Sequence, residues 1–200
     1  MPKGRESGMP EAAMWSTFFN IEAALNQLDC RDVANVVEFG CGYGHFTVSA
    51  ARRSTGRVFA FDIEPEMVEF TRQTLAEDGL TNAVVSQRDF MVDGTGLLEG
   101  QADYAMAFNI LHIEEPHVLL QEAARVLKPG GKLAVMHWKF DERTPRGPSL
   151  SIRPTLEQCR AWAEAAGFEL LHSGDLAGCP WHWGLVLKRS KKEFRHASLH

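Results

Sequence analysis

The chain has 200 residues, 44% apolar and 24% charged, which are ordinary values for a compact chain, and a single domain over residues 1–200 is expected. Lys plus Arg number 21 against 26 Asp plus Glu, a formal net charge of −5; this speaks against nucleic acid as a partner, because phosphate neutralisation needs a basic face. The first fifteen residues carry Lys3, Arg5, Glu6 and Glu11 without an apolar run, and no later apolar stretch is long enough to cross a bilayer, so the expectation is a cytoplasmic protein with no membrane partner.

After a polar leader from Pro2 to Pro10, Phe18, Ile21, Leu25 and Leu28 recur at three- and four-residue steps and predict one N-terminal helix over residues 11–28. The period then changes. Short β-rich runs follow at Val33 to Phe39, Arg57 to Phe61, Ala83 to Ser86, Ala102 to Phe108, Lys132 to Trp138, Phe168 to Leu171 and Trp183 to Leu187. Helical patterns lie between most of them, at Thr47 to Arg53, Glu66 to Glu77, Pro116 to Leu127 and Thr155 to Ala166. Pro65 and Pro116 suit first-turn positions, and Pro129-Gly130-Gly131 ends the third helix. Alternating strands and helices predict an α/β fold: a doubly wound, Rossmann-like, seven-stranded and mostly parallel sheet, with helices on both faces and an antiparallel last strand. Residues 190–200, entered through the basic run Lys188 to Lys192, read as a solvated tail. Cys30, Cys41, Cys159 and Cys179 form no Cys-x-x-Cys pair, so neither a disulfide framework nor a metal site is expected. Cys179 and His182 make at most half of one.

The densest signal is Val36 to Thr47, where Gly40, Gly42 and Gly44 join a buried run to a helix. Glycine tolerates positive φ and has no Cβ, so the backbone can turn sharply and approach a ligand closely, with the amides at the start of the next helix facing its negative end. The dinucleotide fingerprint wants glycine at the first, third and sixth positions; the sixth here is His45, and Glu38 precedes the triplet. Asp62 ends the second strand, where a carboxylate can accept from both hydroxyls of a ribose. An Asp at a strand end is otherwise often a cap for the helix that follows.

This Gly-x-Gly-x-Gly turn behind Glu38 resembles motif I of the class I S-adenosylmethionine (SAM) dependent methyltransferases. Three further segments match the family in order: Arg88-Asp89-Phe90 after the third strand, Asn109-Ile110-Leu111-His112 after the fourth, and the Lys128-Pro129-Gly130-Gly131 turn into the fifth. The likeness is to the small-molecule branch that includes the ubiquinone and menaquinone biosynthesis methyltransferases. It implies SAM as cofactor, a cofactor-binding core over 33–138, acceptor-side elements and last strands over 139–189, and a small-molecule acceptor. Carried over residue by residue, the resemblance makes Glu38, Gly40, Cys41, Gly42, Gly44, Asp62, Ile63, Met67, Asp89, Phe90, Asn109 and Leu111 the cofactor-binding residues. In similar folds the N-terminal segment closes over the ligands, so residues 1–10 are either a lid with Gly4 and Gly8 as flexible points or a disordered tail.

Methyl transfer is an in-line displacement that chiefly needs the acceptor held at attack distance. A base matters where the acceptor must lose a proton. His112 and His137 follow the fourth strand and end the fifth, and an imidazole titrates near neutrality. Each is a candidate general base or a hydrogen-bonded core histidine. Trp138, Trp181 and Trp183 are candidates for an aromatic wall or for core packing. The alternatives are an NAD(P)-dependent oxidoreductase, for which Asp62 would serve equally, and a non-catalytic SAM-binding module.

Overall fold

The computed structural model describes residues 12–191. The leader, with its lid or tail reading, and most of the C-terminal tail lie outside the described residues. Seven strands form one sheet: β1 Val36–Phe39, β2 Val58–Asp62, β3 Ala83–Gln87, β4 Ala102–Phe108, β5 Leu127–Trp138, β6 Phe168–Asp175 and β7 His182–Arg189. Their order is β3-β2-β1-β4-β5-β7-β6. Strands β1 to β5 pair in parallel, and β7 runs antiparallel to both β5 and β6, as the sequence led us to expect. Strand order reverses between β1 and β4, so the crevice beyond their carboxyl ends is where a ligand site belongs.

The β4 run shows why the sheet is buried on both faces. Tyr104, Met106 and Phe108 pack with Leu25, Val48 and Val68 on one side, while Ala105 and Ala107 pack with Leu119, Leu120 and Leu133 on the other. Side chains alternate with a period of two along a strand, and each fully buried large apolar side chain contributes roughly 1.5 to 3 kcal/mol. Tyr104 is fully buried and donates its hydroxyl hydrogen to the Leu28 carbonyl at 2.5 Å, so its one polar atom is satisfied.

Helices α3 His45–Arg53, α4 Pro65–Glu77, α6 Pro116–Val126 and α7 Leu156–Ala165 lie close to their predicted positions. The N-terminal helix does not. It is broken into α1 Ala12–Ser16 and α2 Ile21–Gln27, because the Asn20 side chain accepts from the Ala23 amide at 3.1 Å and caps α2, while the Asn20 amide donates to the Gly178 carbonyl at 3.0 Å. A capping side chain competes with continuation of the helix. Strand β5 begins five residues early, at Leu127, which pairs with Ala102; a bulge between Ala102 and Tyr104 absorbs the Pro-Gly-Gly turn. A one-turn helix, α5 Phe90–Asp93, was not anticipated; Asp89 caps it by accepting from the Met91 amide at 3.0 Å.

Candidate cofactor and acceptor site

All three glycines of the turn after β1 are left-handed, with φ of 80° at Gly40, 52° at Gly42 and 74° at Gly44. Space forbids a side chain at two of them: a Cβ on Gly40 would lie 2.7 Å from Cδ1 of Ile110, and one on Gly44 would lie 2.7 Å from Cγ2 of Thr71. The amides of Gly40 and Cys41 donate to the Phe61 carbonyl at 2.8 and 2.9 Å, which pins the turn to the end of β2. Asp62 completes the join. Its Oδ2 accepts from the Gly42 amide at 2.8 Å and its Oδ1 from the Glu64 amide at 3.0 Å. Each oxygen keeps a further lone pair for a ligand hydroxyl, and burial raises the carboxyl pKa.

Beyond this turn lies a cavity of about 650 Å³, within the range of small-molecule sites. Gly40, Cys41, Gly42, Asp62, Ile63, Met67, Asp89, Phe90, Asn109 and His112 all line it. Gly44, Glu38, Leu111 and His137 do not. Leu111 is fully buried in the core with Leu119 and Leu120; its neighbours Ile110 and His112 face the cavity instead. Asn109 sits at φ 54°, donates its amide to the Met136 carbonyl at 2.7 Å, and has a buried Oδ1 without a partner among the described residues. Asparagine is among the few side chains that tolerate that backbone region.

Glu38 is 2% exposed beneath the turn and accepts from Thr47 Oγ1 at 2.5 Å. Burial pushes its pKa up to about 8, with Asp62 adding to the rise and Thr47 opposing it. A positive charge brought close to such an acid would favour its ionised form.

The opposite end of the cavity is aromatic, with Trp15, Phe108, Trp138 and His112 in its wall. Trp15 and Trp138 lie 6.0 Å apart, and Phe108 rests edge-on against Phe46 at 4.9 Å. Of the candidate tryptophans, Trp138 lines the cavity, whereas Trp183 packs in the core on the far face and stacks with His137 at 6.0 Å. Trp15 was missed by sequence reasoning. It stands three residues before Phe18, so the same helical step could have found it. His112 Nδ1 lies 3.4 Å from His137 Nε2. Desolvation lowers the pKa of His112 to about 4 and that of His137 well below the usual imidazole value. His182, on the other face of the sheet, is 4.2 Å from the Trp138 ring and is lowered to about 3 by burial.

Arg153 contributes a positive charge to all three imidazoles and also shapes the wall. It is 6% exposed and donates to the carbonyls of Lys139 at 2.8 Å and Pro148 at 2.7 Å and to Thr144 Oγ1 at 2.5 Å. Residues 139–153 are thereby tied together beside Trp138, and Gly147, at φ 107°, lies so close that a Cβ would meet Trp138 Cγ at 2.8 Å. The four cysteines are buried and free, and among the described residues no group of three or more His, Cys, Asp or Glu could hold a metal ion.

Residues 36–131 match the family model described as a methyltransferase domain. This segment belongs to the class I methyltransferase family. Among curated proteins, the chain is similar to a ubiquinone biosynthesis O-methyltransferase of Xanthomonas oryzae pv. oryzae, 31% identical over 60% of this chain and 48% of that protein. It is also similar to the ribosomal RNA small subunit methyltransferase C of Ectopseudomonas mendocina, 28% identical over 73% of this chain and 43% of that one. The chain spans less than half the length of these curated relatives. Among solved structures, a SAM dependent methyltransferase from Aquifex aeolicus has the same fold at a TM-score of 0.77 and 23% identity, covering 86% of this chain and 91% of that one. So has the [4+2]-cyclase SpnF, at 0.74 and 19%, covering 94% and 86%. The methyltransferase family and fold imply SAM as the cofactor. The residues present fit it: a cradle at Gly40 that a Cβ would fill, a carboxylate at Asp62 with lone pairs to spare, and an orphaned acceptor on Asn109.

Proposed function

We propose that the chain transfers a methyl group from SAM to a small-molecule acceptor held against Trp15, Phe108 and Trp138. The observation that carries this reading is the single cavity shared by the glycine turn, Asp62 and that aromatic wall. SAM supplies an electrophilic methyl group on a sulfonium sulfur. In this reading Asp62 accepts from the ribose, Asn109 Oδ1 receives a ligand donor, and Glu38 beneath the turn balances the charge of the amino-acid end. The aromatic wall orients the acceptor and excludes water; such proximity can be worth about 7 to 11 kcal/mol of barrier.

A small acceptor is favoured over RNA by the chain's negative balance and by Glu64, Glu66, Glu114 and Glu115 around the cavity, since a polyanion needs cations at its docking face. The O-methyltransferase relative is named for a small-molecule pathway, while other relatives are named for ribosomal RNA and ribosomal protein L11. Two measurements test the reading. Calorimetry should give saturable binding of SAM and S-adenosylhomocysteine and none of NADH; NADH binding alone would restore the oxidoreductase alternative. A screen that follows S-adenosylhomocysteine release should respond to small hydroxylated aromatics, and turnover confined to ribosomal RNA or a ribosomal protein would replace the small-molecule acceptor.

A further inference from the structure

Between the end of β5 at Trp138 and the cap of α7 at Thr155, the chain runs through residues 139–154 without helix or strand. So long a stretch is uncommon in a compact fold unless it serves a site. One side chain orders it. Arg153 is 6% exposed, and besides its bonds to the Lys139 and Pro148 carbonyls and to Thr144 Oγ1 its guanidinium reaches the Arg146 carbonyl at 3.4 Å. It pairs with no carboxylate among the described residues, and the Asp141 carboxylate in the same stretch is held by Arg143 at 2.7 Å. Burying a guanidinium has a desolvation cost, and a surface loop does not need it, because water can satisfy its carbonyls. What the tether adds is position. The residue it places is Gly147, where a Cβ would lie 2.8 Å from Cγ and 2.9 Å from Cδ2 of Trp138, and 3.1 Å from an Arg153 Nη2. Residue 147 is thus wedged against both the guanidinium and the indole. Trp138 lines the cavity and Gly147 does not, while Phe18 at 5.4 Å and His182 at 4.2 Å hem the indole elsewhere. Packing this close leaves the ring no room to withdraw from the cavity.

We propose, on the methyl-transfer reading above, that Arg153 is a positioning residue for acceptor selection: it seats Gly147 against Trp138, and the indole so fixed sets how large an acceptor the aromatic end admits. Cofactor binding lies outside its role, since the glycine turn and Asp62 are held by other partners. Two substitutions act on the wall in opposite senses. Arg153→Gln leaves most of the loop oxygens without their donor, frees Gly147 and lets the indole give way, so bulky acceptors gain relative to compact ones. Gly147→Ala puts a methyl group where the indole stands and drives the ring toward the cavity, so compact acceptors gain. A misplacement of about 1 Å can cost roughly 100-fold. For the preferred acceptor, kcat/KM should therefore fall roughly 10-fold to 100-fold in either variant, while the affinity for SAM stays within a few-fold.

Fluorine spectra of the full chain labelled with fluorotryptophan read the indoles with no cofactor or acceptor present; Trp138→Phe assigns the Trp138 signal. Arg153→Gln should move or broaden that signal, and Arg153→Lys, which keeps the charge but loses the fork, should move it less. The signal of Trp183, in the core on the far face, should stay. In the unaltered chain the Arg153 Nε–H donates to the Pro148 carbonyl at 3.1 Å and should exchange with solvent far more slowly than exposed arginines. Exchange as fast as theirs overturns the proposal whether or not any variant folds, and so does an unmoved Trp138 signal in folded Arg153→Gln. With an acceptor in hand, the ratio of kcat/KM for a bulky over a compact acceptor should rise in Arg153→Gln and fall in Gly147→Ala. A ratio equal to the parent's in both folded variants would make Arg153 a loop tether without a hand in selection, and overturns the proposal. Calorimetry with S-adenosylhomocysteine on the same samples keeps the two readings apart. No binding by the unaltered chain defeats the methyl-transfer reading and leaves the dependence of the indole on Arg153 standing on its own.

Discussion

Beneath the glycine turn the most deeply buried titratable group is an acid, Glu38; around the aromatic wall the buried groups are bases, with His112 in the cavity and His137 and His182 behind it. Desolvation leaves all four largely uncharged at neutral pH, but through opposite shifts. Glu38 is raised, so its contribution to stability is whole below about 4.5 and is lost as pH rises through about 8. The histidines are lowered, so theirs is whole above 6.5 and is lost as pH falls through about 4 at His112 and about 3 at His182. The lesson is functional. On the proposed reading an uncharged acid can meet a ligand cation, whereas the imidazoles resist a proton until the pH is well below neutrality.

The sharpest way to break this contrast is to remove the candidate base. His112→Gln should lower turnover of a hydroxyl acceptor by about 100-fold to 10,000-fold while leaving the calorimetric affinity for SAM within a few-fold. Because His112 is uncharged down to about pH 4, the ascending limb of kcat/KM should lie near that value and not near neutrality. Rates within a few-fold of the parent would leave proximity as the whole account.

A smaller effect is expected at the other end. Asp62→Ala removes charge-assisted hydrogen bonds worth about 1.5 to 3 kcal/mol each and should weaken SAM roughly 10-fold to 100-fold. It should also lower the melting temperature, since the same carboxylate holds the Gly42 and Glu64 amides. A lower melting temperature with unchanged affinity would make Asp62 a joint and not a ligand.

The third and smallest effect sharpens the contrast without touching activity. In Glu38→Gln, the fall in unfolding midpoint between about pH 4.5 and 8 should flatten, because the group that must ionise is gone, while the loss on the acid side, to which the histidines and the lowered carboxylates of Glu22, Asp29 and Glu122 contribute, should persist. A parent and variant with parallel profiles across that range would place the titration elsewhere.

Most of the glycine-turn end was legible because its determinants are local. Left-handed backbone wants glycine, and Asp62 ends a run of period two, so both stand in the sequence. The loop after β4 was not. Ile110, Leu111 and His112 are equally plausible wall residues as letters, and the left-handed turn at Asn109 precedes the point where Leu111 enters the core and its neighbours face the cavity. Strand alternation did hold a clue to His137: it shares a face with Leu133 and Val135, opposite to Trp138. The break between α1 and α2 rests on Gly178, distant in sequence, and helical periodicity carries no trace of such a partner.

The pairing of β1 with β4 bears on how the site comes into being as the chain folds. The amide of Asn35, at the threshold of β1, is held by Asp103 Oδ2 across 68 positions, and Val36 registers with Tyr104. Closing so long a loop costs entropy before any contact repays it, and parallel pairings of this kind form slowly. A nascent chain that has emerged only through β3 already carries Gly40, Gly42, Gly44 and Asp62, yet it lacks Ile110, Asn109 and the strand against which the crevice opens. The proposed binding cradle is therefore a late product of folding, and ligand added to a refolding chain should engage it only after β4 has docked.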